Sequence, residues 1–410
     1  MYRKTNLLII GSGPFGLALA AYVKSLNLDY LAVGKPMEFW KTNMPEGMFL
    51  RSASNWSLDP TEQASILHYL ATLGKSPAEV EPLSRAFYLE YCQWFQEQHN
   101  LQCLPFYVTK LYKLGERFRA ILENGDVIEA KNIVVAIGMG YFRNLPSELT
   151  DLLPEGRFRH TVEAVQFKSL KGKRVLILGG RQSAFEWTAL LHDEGAAEVH
   201  LVYRHESPQF AESDWTWVEP LVDSMVDNPG WFRNLTQQEK DAISMRLWSE
   251  GRLKLESWLE KRVMKQNTHI HPKTKLIFCT ERLDAALNIC LDNGESFVVD
   301  DVILATGYKM DLGQISFLMR GNLFKNIAVN NSFPVLDEHF QSSVKGLYFT
   351  SMPAMQDFGP FFRFTVSVRA SAKMIGNAIA NAGIKYHPYG DDRRAVKNQP
   401  DANPRFVSFP

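Results

Sequence analysis

Four short apolar runs punctuate the chain, each closing on a glycine: 7–10 before Gly11, 133–136 before Gly138, 175–178 before Gly179 and 302–305 before Gly307. An unbroken run of four apolar residues bounded by turn residues predicts a strand buried on both faces, as in parallel sheets. The runs form a repeat. Gly179 follows Gly11 by 168 residues, with strand, glycine turn and helix start in the same order at each place. The pair Asn124-Gly125 stands thirteen residues before Gly138, and Asn293-Gly294 stands thirteen residues before Gly307, an offset of 169. Asn-Gly between extended segments is a strong hairpin signal. Three features repeating at nearly one offset predict two halves of the same build.

From about 206 to 266 the second half is interrupted by a different pattern. This stretch holds five of the nine tryptophans: Trp215, Trp217, Trp231, Trp248 and Trp258. Thr236-Gln237-Gln238-Glu239 has the form of a capping box, and Ile243 and Leu247 follow at helical spacing. Beyond Gly251 the same spacing returns at Leu255 and Leu259, so the stretch reads as a helical insertion. Its tryptophans read chiefly as core or interdomain packing, with one or two at a substrate pocket as the second reading. From Lys385 onward, Pro388, Pro400, Pro404 and Pro410 predict an irregular tail that wraps the surface.

Gly11-x-Gly13-x-x-Gly16 places glycine where a tight turn, backbone approach to a pyrophosphate and helix–strand packing each exclude a side chain. Pro14 and Phe15 lie inside the turn, and the helix behind it offers free N–H groups and a positive dipole end to phosphates. The strand before and the run Leu17-Ala18-Leu19-Ala20-Ala21 after supply the context that the motif demands. The expected fold is α/β, with two Rossmann-like dinucleotide-binding domains and a helical insertion in the second. Residues 1–155 and 308–410 form the first domain, and 156–307 the second. One feature is missing. The strand Tyr30-Leu31-Ala32-Val33 ends at Gly34-Lys35, where an acid ordinarily binds a ribose. Loss of that hydrogen bond costs about 0.5–1.5 kcal/mol, which weakens binding without forbidding it.

Charge and composition narrow the function by exclusion. The 410 residues carry 45 basic and 45 acidic side chains, which removes the bulk electrostatic case for nucleic acid or anionic membrane. No apolar run approaches the roughly 18 residues needed to cross a bilayer, and the start of the chain is too short in apolar residues for a signal peptide. A cytoplasmic protein is expected. Cys92, Cys103, Cys279 and Cys290 include no Cys-x-x-Cys pair, which argues against a disulfide scaffold, a zinc site or a dithiol redox centre. His269-x-His271, with no cysteine or carboxylate cluster beside it in sequence, reads as surface residues, and no metal is expected.

Longer stretches carry a family likeness. They are residues 11–16; Gly34-Lys35-Pro36-Met37-Glu38-Phe39-Trp40; Met44-Pro45-Glu46-Gly47-Met48-Phe49-Leu50-Arg51-Ser52; Gln182-Ser183-Ala184-Phe185-Glu186; Ala305-Thr306-Gly307-Tyr308; Gly346-Leu347-Tyr348-Phe349; and Phe358-Gly359-Pro360-Phe361-Phe362-Arg363-Phe364. Through them the chain resembles the FAD-dependent class B monooxygenases: flavin-containing, N-hydroxylating and Baeyer–Villiger enzymes. The resemblance implies FAD on the first domain and NADPH on the second. NADPH would reduce the flavin, oxygen would add at its C4a position, and the hydroperoxide would oxygenate a small amine, sulfur or carbonyl compound. The implied partners are a small-molecule substrate and molecular oxygen, with no nucleic acid and no membrane.

The resemblance also assigns residues. Besides the glycine turn, FAD contacts fall at Lys35, Trp40, Arg51, Val108, Ala136, Gly138, Phe358, Gly359 and Arg363. Trp40 has ordinary core packing as its other reading. Asn55 stands near an asparagine that flanks the flavin in flavin-containing monooxygenases, where an amide can both donate and accept; a turn or cap asparagine is the alternative. Ser183 would meet the pyrophosphate of NADPH, and Arg204 its 2′-phosphate, although strand ends also carry solvated arginines. Gly156 and His160 echo part of the linker fingerprint of these enzymes, with Pro154 and Ala164 departing from it.

Arg181 is the departure that bears most on function. It occupies the second glycine position of the second fingerprint, where a side chain projects toward the ligand. Arginine there either swings aside and pairs with phosphates, for which its fork is suited, or fills the site and excludes NADPH. The leading function is an NADPH-linked FAD monooxygenase. The alternatives are an FAD oxidase, dehydrogenase or isomerase that does not use NADPH, and a non-catalytic flavin-binding module.

Overall fold

The computed structural model describes residues 1–382. The first apolar run ends strand β1 (Tyr2–Ile10), enclosed over its last four residues. Parallel to it lie β2 (Tyr30–Val33) and β6 (Val127–Val135), with β3 (Cys103–Leu104) beyond β2. On the far side, β4 (Val108–Leu114) and β5 (Arg117–Leu122) are antiparallel, giving the order β3-β2-β1-β6-β5-β4. The predicted Asn124-Gly125 turn joins β5 to β6, with Gly125 at φ +84°. The second sheet contains β7 (Phe158–His160), β8 (Arg174–Leu178), β9 (Glu198–Tyr203), β10 (Thr268–Pro272) and β14 (Asp301–Leu304), all parallel in the order β10-β9-β8-β14-β7. Against one face of it packs an antiparallel sheet of β11 (Leu276–Glu281), β12 (Leu287–Leu291) and β13 (Ser296–Val299), whose β12–β13 turn is the predicted Asn293-Gly294. A last strand, β15 (Leu347–Phe349), returns to the first sheet beside β6.

Each sheet is covered by helices whose sequences explain their position. The helix Pro14–Ser25 starts with proline, whose missing N–H is not needed there, and its small and apolar residues are almost all buried. The final helix, Val368–Ala382, lies across it so closely that a side chain at Gly376 would meet the Tyr22 ring at 2.5 Å. Chain ends far apart in sequence thus share one core, in which Leu7, Val135, Phe349 and Ile375 are all enclosed.

The insertion is largely helical and divides its contacts. Val218, Val222 and Met225 of the helix Val218–Asp227, together with Leu247 of Gln237–Arg252, enter the first core. Leu255, Leu259 and Val263 enter the second. The capping box forms as expected: the Thr236 hydroxyl accepts the Glu239 N–H at 3.3 Å, and the Glu239 carboxylate accepts the Thr236 N–H at 2.7 Å. Past Gly251 the helical expectation fails. Lys254-Leu255 pairs as a short parallel strand with Gln209-Phe210, because Leu255 is drawn down onto the second core, and helical turns resume only from Ser257. Among the described residues no helix is long and apolar enough to cross a membrane. The tail from Lys385 lies outside the described residues.

Candidate functional site

Both glycine turns open into one cavity of about 1260 Å³, walled by the ends of the two sheets and roofed by the insertion. That exceeds the roughly 300–1,000 Å³ of single small-ligand pockets and leaves room for an extended ligand.

At the first turn the three glycines serve different ends. Gly11 stands at φ +116°, and a Cβ there would lie 2.3 Å from the Ala136 carbonyl oxygen. A Cβ on Gly16 would lie 1.8 Å from the Gly11 oxygen, so this glycine is needed for packing. At Gly13 a Cβ would meet nothing within 4 Å. Gly13 caps the helix Pro14–Ser25 without any side-chain hydrogen bond, and with Pro14 and Phe15 it borders the cavity. The fold leaves that space open beside free helix N–H groups, the cradle that a pyrophosphate fills. The buried Ser12 hydroxyl and the Arg363 Nε, both on the cavity wall, have no hydrogen-bond partner among the described residues. Burial, with Arg252 nearby, pushes the Arg363 pKa down to about 10. A charged donor held dry and unpaired fits an anionic or carbonyl-rich ligand. The residues present therefore fit a dinucleotide such as FAD. Gly34 explains the missing acid: at φ +120°, 3.4 Å from the Ser12 N–H, the position disfavours any side chain.

Among the other expected FAD contacts, Lys35, Trp40, Val108, Ala136 and Gly138 all line the cavity. Trp40 packs on Tyr88 at 4.7 Å, and the Lys35 ammonium lies over Tyr107. Arg51 lines it as well, but its guanidinium is engaged elsewhere: Nε donates to Glu256 at 2.6 Å, Nη1 to the Gly251 carbonyl at 3.0 Å and Nη2 to the Ser213 hydroxyl at 2.6 Å. Phe358 and Gly359 stand behind the wall. Phe358 stacks on Phe340 at 3.6 Å, and Gly359 faces the Phe232 ring; Pro360, Arg363, Phe364 and Thr365 form the surface itself. Asn55 is outside the cavity lining, on the exposed side, with its amide donating to Glu219. Glu219 draws it there because the carboxylate also holds Arg369, at 2.5 Å.

The second turn repeats the first atom for atom where the backbone demands it. Gly179 stands at φ +146°, its Cβ position 2.4 Å from the Ala305 oxygen. A side chain on Gly180 would enter the Tyr203 ring. Arg181 has extended backbone, φ −116° and ψ −177°, so arginine is accommodated without strain. Its guanidinium turns to the insertion, donating to the Arg252 carbonyl and lying 4.9 Å over the Trp248 ring. The side chain is thus carried onto the insertion, whose Arg252 carbonyl and Trp248 are partners that the sequence did not suggest. Ser183 and Arg204 border the cavity, Arg204 exposed and 3.8 Å from Glu148. His160 is enclosed, its Nε2 3.0 Å from the Gly307 carbonyl and its ring edge-on to Tyr308.

Several wall residues were not anticipated. Gln182 accepts the Glu256 N–H and leaves its own amide nitrogen unpartnered among the described residues. Trp215 and Trp248 of the insertion line the cavity. Glu186 is enclosed, accepts the Phe49 N–H at 2.9 Å, and is pushed up to about 8 by burial. A sequence signal existed for it: an acid in the middle of the apolar stretch 184–191. None of the four cysteines, all free, reaches the cavity. His269 and His271, expected at the surface, are instead half-buried, His269 stacked on His200 and His271 on Phe297 of the antiparallel sheet.

Comparison with known proteins adds a family and a fold. The family described as pyridine nucleotide-disulphide oxidoreductase matches residues 8–229. An FAD-dependent urate hydroxylase of Xanthomonas campestris pv. campestris is 28% identical over 132 residues, 30% of this chain and 28% of that protein. A ferredoxin–NADP reductase of Ralstonia pickettii is 34% identical over 227 residues, 52% of this chain and 54% of that protein. The chain thus spans about half or less of these relatives' length. Among solved structures, the ornithine N-hydroxylase of Kutzneria sp. 744, with FADred, NADP+ and L-orn, superposes with a TM-score of 0.76 at 16% identity, covering 92% of this chain and 99% of that one. The shared fold is that of a flavoprotein with two dinucleotide-binding domains.

Proposed function

Since this chain belongs to the pyridine nucleotide-disulphide oxidoreductase family, we propose that it is an FAD-dependent monooxygenase that uses NADPH and molecular oxygen to oxygenate a small organic substrate, an amine, sulfur or carbonyl compound. The observation that carries this reading is the opening of both glycine turns into one cavity that is also lined by Trp215 and Trp248 of the insertion. The hydroxylase relative and the ornithine N-hydroxylase likeness support it. Use of the architecture for dithiol exchange is disfavoured, since no cysteine borders the cavity.

Bound FAD supplies the redox chemistry, accepting a hydride and activating oxygen; the chain supplies position and exclusion of water. In this reading residues 1–155 with 308–410 would hold FAD. Gly13 would admit the pyrophosphate to the N-terminus of Pro14–Ser25, the unpartnered Ser12 and Arg363 would donate to FAD, and Trp40 and Val108 would wall it. Residues 156–307 would hold NADPH, with Ser183 toward the pyrophosphate and Arg204 toward the 2′-phosphate. Trp215, Trp248 and Trp56 keep the reacting centre dry, which strengthens every hydrogen bond within it. A cytoplasmic setting accords with the free cysteines.

Arg181 favours a second reading, an oxidase, dehydrogenase or isomerase without NADPH, because at that step of the turn glycine is replaced by an arginine that is tied to the insertion through the Arg252 carbonyl and Trp248. Anaerobic mixing of the FAD-loaded protein with NADPH, and separately with NADH, discriminates between them. Rapid bleaching of the oxidised-flavin absorbance by NADPH in preference to NADH is expected. If neither nucleotide bleaches the flavin, even with candidate amines and thioethers present, while a substrate alone does, the NADPH reading falls and the second takes its place.

A further inference from the structure

We propose that Glu198, His200 and His269 form a binding site for a borderline divalent metal ion, with zinc(II) as its representative, on the outer edge of the second sheet. The strands themselves bring these residues together. His269 of β10 pairs in parallel register with His200 of β9, and Glu198, two residues earlier, shares the same face. One ligand atom from each lies within 4.8 Å of the others.

A hydrogen-bonded chain behind the cluster fixes which atom of His200 is free. His271 Nδ1 stands 2.6 Å from the Glu295 carboxylate, which can only accept, so this nitrogen donates. In neutral His271 the other nitrogen, Nε2, then accepts, and its neighbour at 3.1 Å, His200 Nδ1, is the donor. His200 Nε2 is left with a lone pair. That atom is buried, on a residue only 5% exposed, and has no hydrogen-bond partner among the described residues; Glu198 Oε2 lies 3.5 Å away. Phe297 of β13 stacks on the His200 ring at 3.9 Å and 7°, and His269 stacks on it at 4.5 Å, which holds the ring plane. An acceptor on the far nitrogen orients a metal-binding imidazole, and here His271, itself held by Glu295, is that acceptor for His200.

The donor set chooses the ion. Two imidazole nitrogens and one carboxylate oxygen suit zinc, nickel or copper and disfavour magnesium and calcium, which take oxygen ligands. The Glu198 side chain is 45% exposed, so solvent reaches the cluster and can fill a fourth position. The site is separate from the central cavity: none of its three residues lines that space, and His200 precedes Arg204 by four residues, roughly 13 Å along the strand.

Titration of the untagged, chelator-treated holoprotein with zinc(II) by calorimetry, and with cobalt(II) by visible absorption, tests the site. One equivalent is expected to bind in the micromolar range or tighter, with cobalt bands of nitrogen–oxygen coordination. His269→Gln and Glu198→Gln, both at partly exposed positions, are expected to weaken binding about tenfold or more while the far-ultraviolet dichroism and flavin content stay unchanged. His271→Gln, which breaks the chain to Glu295 without removing a ligand, is expected to weaken it by about 10–100-fold. Failure of both ions to bind the wild type, or binding that both His269→Gln and Glu198→Gln leave intact, overturns the proposal.

Discussion

Gly11 and Gly13 are two residues apart in one turn, yet a methyl group added to each meets opposite conditions. At Gly11 it enters the Ala136 carbonyl from a backbone angle that side chains rarely adopt, so Gly11→Ala is expected to destabilise the FAD-free protein by about 3 kcal/mol. At Gly13 it meets empty cavity, so Gly13→Ala is expected to leave the unfolding midpoint of the FAD-free protein unchanged and weaken FAD binding at least about tenfold, roughly 1.4 kcal/mol. Urea unfolding of both variants, with a flavin titration of each, checks the pair; equal losses of stability would refute the distinction. Glu186 makes a prediction in pH. Its carboxyl is raised from the ordinary 4.5 to about 8 by burial, so between those values the folded protein holds a proton that the unfolded chain has released. The contribution is complete below pH 4.5 and is lost as pH rises to about 8. Over that window wild-type stability is expected to fall by several kcal/mol relative to Glu186→Gln. Parallel slopes for the two proteins in urea unfolding from pH 5 to pH 8 would show that Glu186 titrates normally.

At the scale of elements, the insertion packs into both cores and is also tied down by polar contacts, of which Arg51 makes several. Its guanidinium joins Glu256, Ser213 and two insertion carbonyls and lies over Trp215. Arg51→Ala is expected to cost about 2 kcal/mol and to hasten proteolysis within 206–266, followed by mass spectrometry of the first cuts; cleavage at the wild-type rate would show that apolar packing alone holds the insertion. Much of the element plan was legible in sequence, and the reasons are local. Runs of four apolar residues, two Asn-Gly turns and the Thr236–Glu239 box each act over a few residues, and each formed where expected. The exceptions depend on distant partners. Leu255 left its helical spacing to reach the second core, Arg51 was claimed by Glu256 from 205 residues away, and Asn55 was turned outward by Glu219. The clustering of Glu198 with His200 and His269 likewise follows from strand order, which no local pattern encodes.

For the whole molecule the decisive feature is that one insertion feeds both cores, Val222 and Leu247 in one and Leu259 and Val263 in the other, while the last helix closes on the first. Neither half can lose its packing without stripping apolar surface from the other. Thermal unfolding is therefore expected as one transition, coincident by far-ultraviolet dichroism and tryptophan fluorescence; two resolved transitions would show that the halves are independent. FAD in excess is expected to raise the midpoint of that single transition.

The two turns also show what a repeated scaffold leaves free. Gly11 and Gly179 face carbonyls at nearly the same separation, so the backbone itself enforces sameness at that step in both halves. Two residues later nothing in the fold touches the first turn, and there the halves have parted, glycine in one and arginine in the other. Neither residue is fixed by the turn itself, since Gly13 faces open space and Arg181 has extended backbone with its side chain carried off to Trp248, so this position can change without straining the turn. The third residue of each turn is thus where this architecture can trade one bound molecule for another while keeping its shape.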